Sequence, residues 1–279
     1  MQGLIVTEEG SDRRMRKKLK NGITGMAVLA MLFMVAMVSY GDDYGPGMED
    51  TPSVSSAPSF SVERFVLPED AGMLVVVEGT KGSECNVYAY ERSEASQNRW
   101  ILKLETPGYL GRNGMSNNRT EGDKTTPIGL FQMNTPFGQA DPKNGFPESY
   151  IKVNADYVWT ENTNRLVKNP KENGEHVGTA GYSEYYDYVI DMGYNKNAVD
   201  KKGSALFLHC HGHNRTETSG CVSIEKTKME EIMKLYGACK EGGSYIALAP
   251  SETFEGVYDS YGGNFGLSPE GKWQTEDAR

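Results

Sequence analysis

The sequence predicts a mainly β domain with one well-defined helix near its C-terminal end. Three observations carry that reading. Short runs rich in β-branched, aromatic or other apolar residues recur at 73–77, 87–90, 100–104, 205–210 and 245–249. Gly-containing turns or polar segments separate neighbouring runs. Helical spacing is clear in one place, where Met229, Ile232, Met233 and Tyr236 recur three or four positions apart.

Taken in order, the first element is a targeting segment. Residues 13–20 read RRMRKKLK, with six positive charges, and 23–40 form an uncharged, mostly apolar run of 18 residues. A basic flank before such a run is the pattern of a secretory signal or an uncleaved anchor. The run exceeds a signal core of roughly 7–15 residues and sits near the short limit of about 17 for a spanning helix. Both readings of 1–41 therefore stay open, with membrane anchoring through 23–40 in the second. In either case the chain after about residue 41 is expected outside the cytoplasm, secreted or anchored at the cell wall.

Residues 42–64 are rich in Gly, Pro, Ser and Asp, the composition of a flexible linker. The texture changes near Phe65, and 65–250 is the expected domain. Its first three strand runs precede a stretch over roughly 105–150 dense in Gly, Asn and Pro, then a Tyr-rich mixed segment over 151–195. After the run at 205–210, Thr227 and Glu230 read as a T-x-x-E capping box that opens a helix over 227–239. The strand at 245–249 closes the domain. The remainder, 251–279, is Gly-rich and polar and reads as a loose tail.

Composition excludes several classes. The chain has 38 acidic and 29 basic residues, a net charge of −9. Without the leader, 35 acids face 23 bases, or −12. A nucleic-acid partner is not expected, because neutralising phosphates requires a basic face. Four cysteines in 279 residues make no disulfide framework. Cys85 and Cys239 are a conceivable pair in an exported protein, whereas Cys210 and Cys221 are expected free.

The segment 206–224, LFLHCHGHNRTETSGCVSI, carries the chemistry. One reading is a metal site, in which His209, His211 and His213, with Cys221, ligate zinc. The segment superficially resembles the opening motif of metallo-β-lactamase-like hydrolases, but that family draws further His ligands from far downstream and this chain has no His after position 213. The other is a Cys–His nucleophile. Cys221 is the candidate nucleophile in a Thr218-Ser219-Gly220-Cys221 turn, and His209 on a strand is the candidate proton donor and acceptor. His211 shares a strand face with His209 and is an alternative base. Gly220 lets the chain turn tightly, and backbone N–H groups at Gly220–Cys221 are candidate oxyanion donors. Cys210, on the opposite strand face, is expected in the core.

These residues resemble the L,D-transpeptidase catalytic-domain family of bacterial cell-wall enzymes. Leu208-His209 is similar to the family's strand histidine, and Ser219-Gly220-Cys221-Val222 to its S/T-G-C segment. Upstream, Gly111-Arg112-Asn113-Gly114 and Lys124-Thr125-Thr126-Pro127-Ile128-Gly129-Leu130-Phe131 resemble its G-R-N-G and K-T-P-x-G-x-F segments, and Glu175-His176 a feature of its secreted branch. The likeness spans about 70–249.

The resemblance implies a mainly β fold with mixed sheets and a short helix after the cysteine loop. It implies a cysteine acyltransferase that joins third-position residues of peptidoglycan stem peptides through a thioester, with no cofactor or metal. A carboxypeptidase on the same fold and an inactive wall-binding module are alternatives. Many members carry an Arg two positions after the Cys. Ser223 stands there, so Arg112 and Arg215 become candidates for binding a substrate carboxylate, with His211 and His176 as further pocket residues.

Overall fold

The computed structural model describes residues 57–213 and 215–261, together with the backbone of 265–267 and 273–275. The expected leader, with its apolar run at 23–40, and residues 42–56 of the expected linker lie outside the described residues. Among the described residues, no helix is long and apolar enough to cross a membrane.

The fold is mainly β, as expected, and its scaffold is a mixed ten-stranded sheet. From one edge the strands run Gly129–Gln132, Ser244–Pro250, Met73–Gly79, Glu84–Arg92, Trp100–Tyr109, Val222–Ile224, Phe207–Cys210, Val189–Asp191, Asn134–Gly138 and Ile151–Lys152. Three neighbouring pairs are parallel: Met73–Gly79 with Ser244–Pro250, Phe207–Cys210 with Val222–Ile224, and Asn134–Gly138 with Ile151–Lys152. The other neighbours are antiparallel.

The run at 73–77 reads as continuously apolar because both faces of its strand are covered. Met73, Val75 and Val77 enter one core. Leu74 and Val76 enter a second on the opposite face. The first core also receives Met229, Ile232 and Met233 from the helix Lys226–Ala238, and contains Cys210 as expected. Within it Phe137, Trp159 and Phe207 meet at centroid distances of 4.8–5.8 Å.

The second core corrects the expected domain limits. Phe60 and Phe65 pack with Phe254, Val257 and Tyr258 over the sheet's other face. Each buried aromatic of this kind contributes roughly 1.5–3 kcal/mol, enough to fasten both flanking segments down. Phe60 and Val62 of the expected linker and Phe254, Val257 and Tyr258 of the expected loose tail are thus part of the packed structure. Farther on, Phe265–Leu267 pairs antiparallel with Trp273–Thr275.

The helix starts one residue earlier than expected, with Glu225 at the N-cap and no side-chain cap. Thr227 is inside it and donates to Glu225 at 2.7 Å, while Glu230 pairs with Lys143. The T-x-x-E signal therefore marked a helix start without forming a capping box.

The stretch over 105–150 contributes more strand than its composition suggests. Pro107 is tolerated in the strand Trp100–Tyr109, because the neighbour Val222–Ile224 pairs only with Gly108 and Tyr109. At Gly108 the two backbones approach so closely that a Cβ would sit 2.7 Å from the Ser223 carbonyl oxygen.

Candidate active site

Two parallel strands position the chemistry. Leu208 pairs with Val222 and His209 with Ser223. In this register His209 and Ser223 share one face, Cys221 approaches the same face one step earlier, and Leu208, Cys210 and Val222 point the other way. The Cys221 sulfur lies beside the neighbouring chain, 3.3 Å from the Phe207 backbone N and 3.4 Å from the Ala205 carbonyl oxygen.

The loop before Cys221 is clamped from several sides. Gly111 and Thr218 form a β-bridge, Thr218 N–H donates to the Leu110 carbonyl and Arg112 N–H to the Thr218 carbonyl. Thr126, fully buried, accepts from Gly111 N–H at 2.9 Å and donates to the Gly220 carbonyl at 2.9 Å. The G-R-N-G, K-T-P-x-G-x-F and S-G-C segments, distant in sequence, thus meet at one hydroxyl. Gly220 adopts φ +137°, a left-handed conformation that favours glycine. Its N–H donates to Thr218 Oγ1 at 3.0 Å, so that group, expected as an oxyanion donor, is already engaged.

Cys221 and His209 line a single cavity of about 600 Å³. Both are nearly covered, at 8% and 6% exposed, so small changes in packing govern access to them. His209 Nδ1 lies 2.7 Å from the Cys210 carbonyl oxygen. A carbonyl only accepts, so Nδ1 carries the proton and Nε2 the lone pair that a base needs. Burial lowers the His209 pKa to about 4, against the pull of the Cys210 and Tyr185 carbonyls. Burial, aided by the negative charge of Glu175, raises the Cys221 thiol to about 12, opposed by the Phe207 N–H and Arg119. At neutral pH the unliganded pair is therefore thiol and neutral imidazole. No hydrogen bond joins the two among the described residues, and Sγ is held by Phe207 and Ala205 instead.

The other expected site residues divide. Ser219 is exposed at the cavity, and His211, Arg112, Arg215 and Ser223 also line it. His211 tilts against Tyr109 at 5.7 Å, with its Nδ1 buried and without a hydrogen-bond partner. Arg112 is bound by Glu217 at the rim, Nε to carboxylate 2.6 Å. Arg215 Nε donates to the Tyr185 hydroxyl at 3.2 Å. His176 does not line the cavity; its carbonyl accepts from Thr179 in a turn. The neighbouring Glu175 lines it instead, as alternation along an extended chain allows.

The zinc reading has no geometric support. Among the described residues, no three His, Cys, Asp or Glu side chains converge as metal ligands. His213 is exposed and bonds to Glu184 at 2.9 Å. All four cysteines are free, Cys85 and Cys239 included.

Arg119 was missed in the sequence. It is 3% exposed, lines the cavity, and places Nη2 3.6 Å from where a Gly220 Cβ would be. It is fixed by the Thr125 carbonyl at 3.2 Å, the Lys202 carbonyl at 2.9 Å and Asp123 at 3.7 Å. Only the i,i+4 spacing to Asp123 was readable beforehand. A buried cation thus stands beside the cysteine loop although Ser223 replaces the arginine expected there.

The site combines a buried thiol, a neutral imidazole and a fixed guanidinium in one cavity. That set suits nucleophilic attack on a carbonyl. The family model of the L,D-transpeptidase catalytic domain matches residues 84–244. No curated protein and no solved structure matches the chain.

Proposed function

The chain belongs to the L,D-transpeptidase catalytic-domain family, and from that premise we propose that it is an exported cysteine acyltransferase that cross-links third-position residues of peptidoglycan stem peptides. The observation that carries this reading is that Cys221 and His209 line one cavity.

A stem tetrapeptide entering the cavity displaces water and brings the scissile carbonyl to the sulfur. His209 Nε2 takes the thiol proton as the sulfur attacks the carbonyl carbon of the third residue. The Arg119 guanidinium, fixed beside Gly220, opposes the negative charge developing on oxygen. His209 then returns the proton to the D-Ala nitrogen, the C–N bond breaks, and a thioester remains. An amine of a second stem attacks that thioester, His209 takes its proton, and the sulfur leaves and is reprotonated. Burial keeps the resting pair neutral, so ionisation belongs to the substrate complex.

The signal or anchor reading of 1–41 supplies the location, since the substrate lies outside the cytoplasm. The test is product analysis after incubation with disaccharide-tetrapeptide. The expected product is a dimer joined between third residues, with one D-Ala released per link. Tripeptide alone would identify water as the acceptor and make the protein a carboxypeptidase. Unchanged tetrapeptide would refute acyl transfer and favour a wall-binding module.

A further inference from the structure

Four glutamates line the cavity. Glu121 and Glu161 are exposed, and Glu217 is paired with Arg112. Glu175 differs from all three. It is half-buried, and its carboxylate is hydrogen-bonded by the hydroxyls of Tyr186 and Tyr182. Among the described residues, no ion pair includes it.

Its holders are rigid. The Tyr182 and Tyr186 rings stack at 4.8 Å and 5°. The Tyr186 ring abuts His209 at 5.4 Å, edge to face. The carboxylate is thus fixed on the His209 side of the cavity that also holds Cys221.

Phenol hydroxyls bond a carboxylate but leave its charge uncompensated, and a buried uncompensated charge is costly. Burial accordingly raises the Glu175 pKa, and its negative charge helps to hold the Cys221 thiol protonated. A cation delivered from the cavity would compensate that charge. In the acyl transfer set out above, on which this inference rests, stem peptides offer one chemistry of that kind. A primary ammonium is present on a diamino third residue of the donor and on the acceptor.

We propose that Glu175, held by Tyr182 and Tyr186, is a specificity-determining residue that receives a primary ammonium group of the stem peptides. Seating that group also neutralises the charge opposing ionisation of Cys221. Nucleophile formation is thereby coupled to occupation by an amine-bearing substrate.

The experiment separates the two half-reactions by intact mass. Acylation is timed with a disaccharide-tetrapeptide whose third residue carries a side-chain amine, and with one carrying norleucine there. Discharge of the acyl-enzyme is timed with an amine-bearing tripeptide and with its acetylated form bearing a hydroxyl acceptor. Wild type should favour the amine in at least one half-reaction by about tenfold, the scale of one good interaction. Glu175→Gln, which keeps a hydrogen-bond acceptor and removes the charge, should lower that preference about tenfold in the step concerned, below which only the intrinsic reactivity of the acceptor is left.

Loss of preference in acylation assigns the donor side chain, and in discharge the acceptor. Either supports the subsite. A preference that Glu175→Gln leaves unchanged in size in both steps overturns it. So does a wild type that forms adducts with both donors and shows no preference in either step, which leaves acyl transfer standing. Absence of any adduct refutes acyl transfer itself, and the subsite falls with it. If Glu175→Gln does not fold, Glu175→Asp takes its place, and there the preference should shrink.

Discussion

The Thr126 hydroxyl donates to the carbonyl of Gly220 at 2.9 Å while accepting the N–H of Gly111 at the same distance, all within a fully buried pocket. One side chain therefore sets the position of the peptide just before the nucleophile. Thr126→Val keeps the shape and leaves a buried donor and acceptor unpaired, an expected loss of about 1–3 kcal/mol per unpaired group. Urea unfolding at pH 7 should register that loss, and acylation should slow with it. Thr126→Ser should retain most of both. Equal stability for the Val variant and wild type would contradict the clamp.

Gly220 tests the same loop from the backbone. Its φ of +137° and a would-be Cβ 2.9 Å from the Thr125 carbonyl oxygen leave no comfortable place for a side chain. Gly220→Ala is expected to cost roughly 1–3 kcal/mol and to reduce acylation further than stability alone explains. A variant that melts and acylates like wild type would show that the loop is more tolerant than its geometry indicates.

The free enzyme should lack a thiolate–imidazolium pair. With the thiol raised to about 12 and His209 lowered to about 4, both groups are neutral between those values. Alkylation by iodoacetamide, followed on the peptide that contains Cys221, should keep accelerating with pH through 9. A plateau below pH 7 would reveal a preformed ion pair.

Asp191 offers a stability test removed from the reacting atoms. Burial raises its pKa to about 7, against the Gly193 N–H and the Asn134 side chain. Folded protein thus holds a proton that the unfolded chain releases near pH 4. The contribution is complete below pH 4 and is lost as pH rises toward 7. Asp191→Asn removes that dependence. Its melting temperature relative to wild type should climb between pH 4 and 7 and then level off. His209 acts in the opposite sense over about pH 4–6.5, but it is present in both proteins and cancels. A constant difference across this range would contradict the assignment.

Much of this architecture was readable in the chain. The five apolar runs became strands because burial on one or both faces leaves a direct trace in composition. His209, Ser219, Gly220 and Cys221 were readable as a local pattern, and the structure gathers His209, Ser219 and Cys221 at one cavity, with Gly220 held by Thr126 between the last two. Arg119 was not, because its partners, Thr125, Lys202 and Asp123, come from segments that only folding brings together. Glu175 was passed over for His176, since nothing in an adjacent pair tells which member faces inward. Phe60 and Phe254 sit in segments whose Gly, Ser and Pro content resembles a linker, and only their mutual packing reveals a second core. The strands Asn134–Gly138 and Val189–Asp191 rest on pairing with each other, which periodicity cannot display.

The central claim is that the Cys221 sulfur becomes acylated by a stem peptide with loss of D-Ala. Intact-mass measurement after incubation with disaccharide-tetrapeptide addresses it most directly. Wild type should gain the mass of the substrate less D-Ala, with the adduct on Cys221, and Cys221→Ala should gain nothing. An adduct on another residue, or turnover by Cys221→Ala at the wild-type rate, would contradict the account.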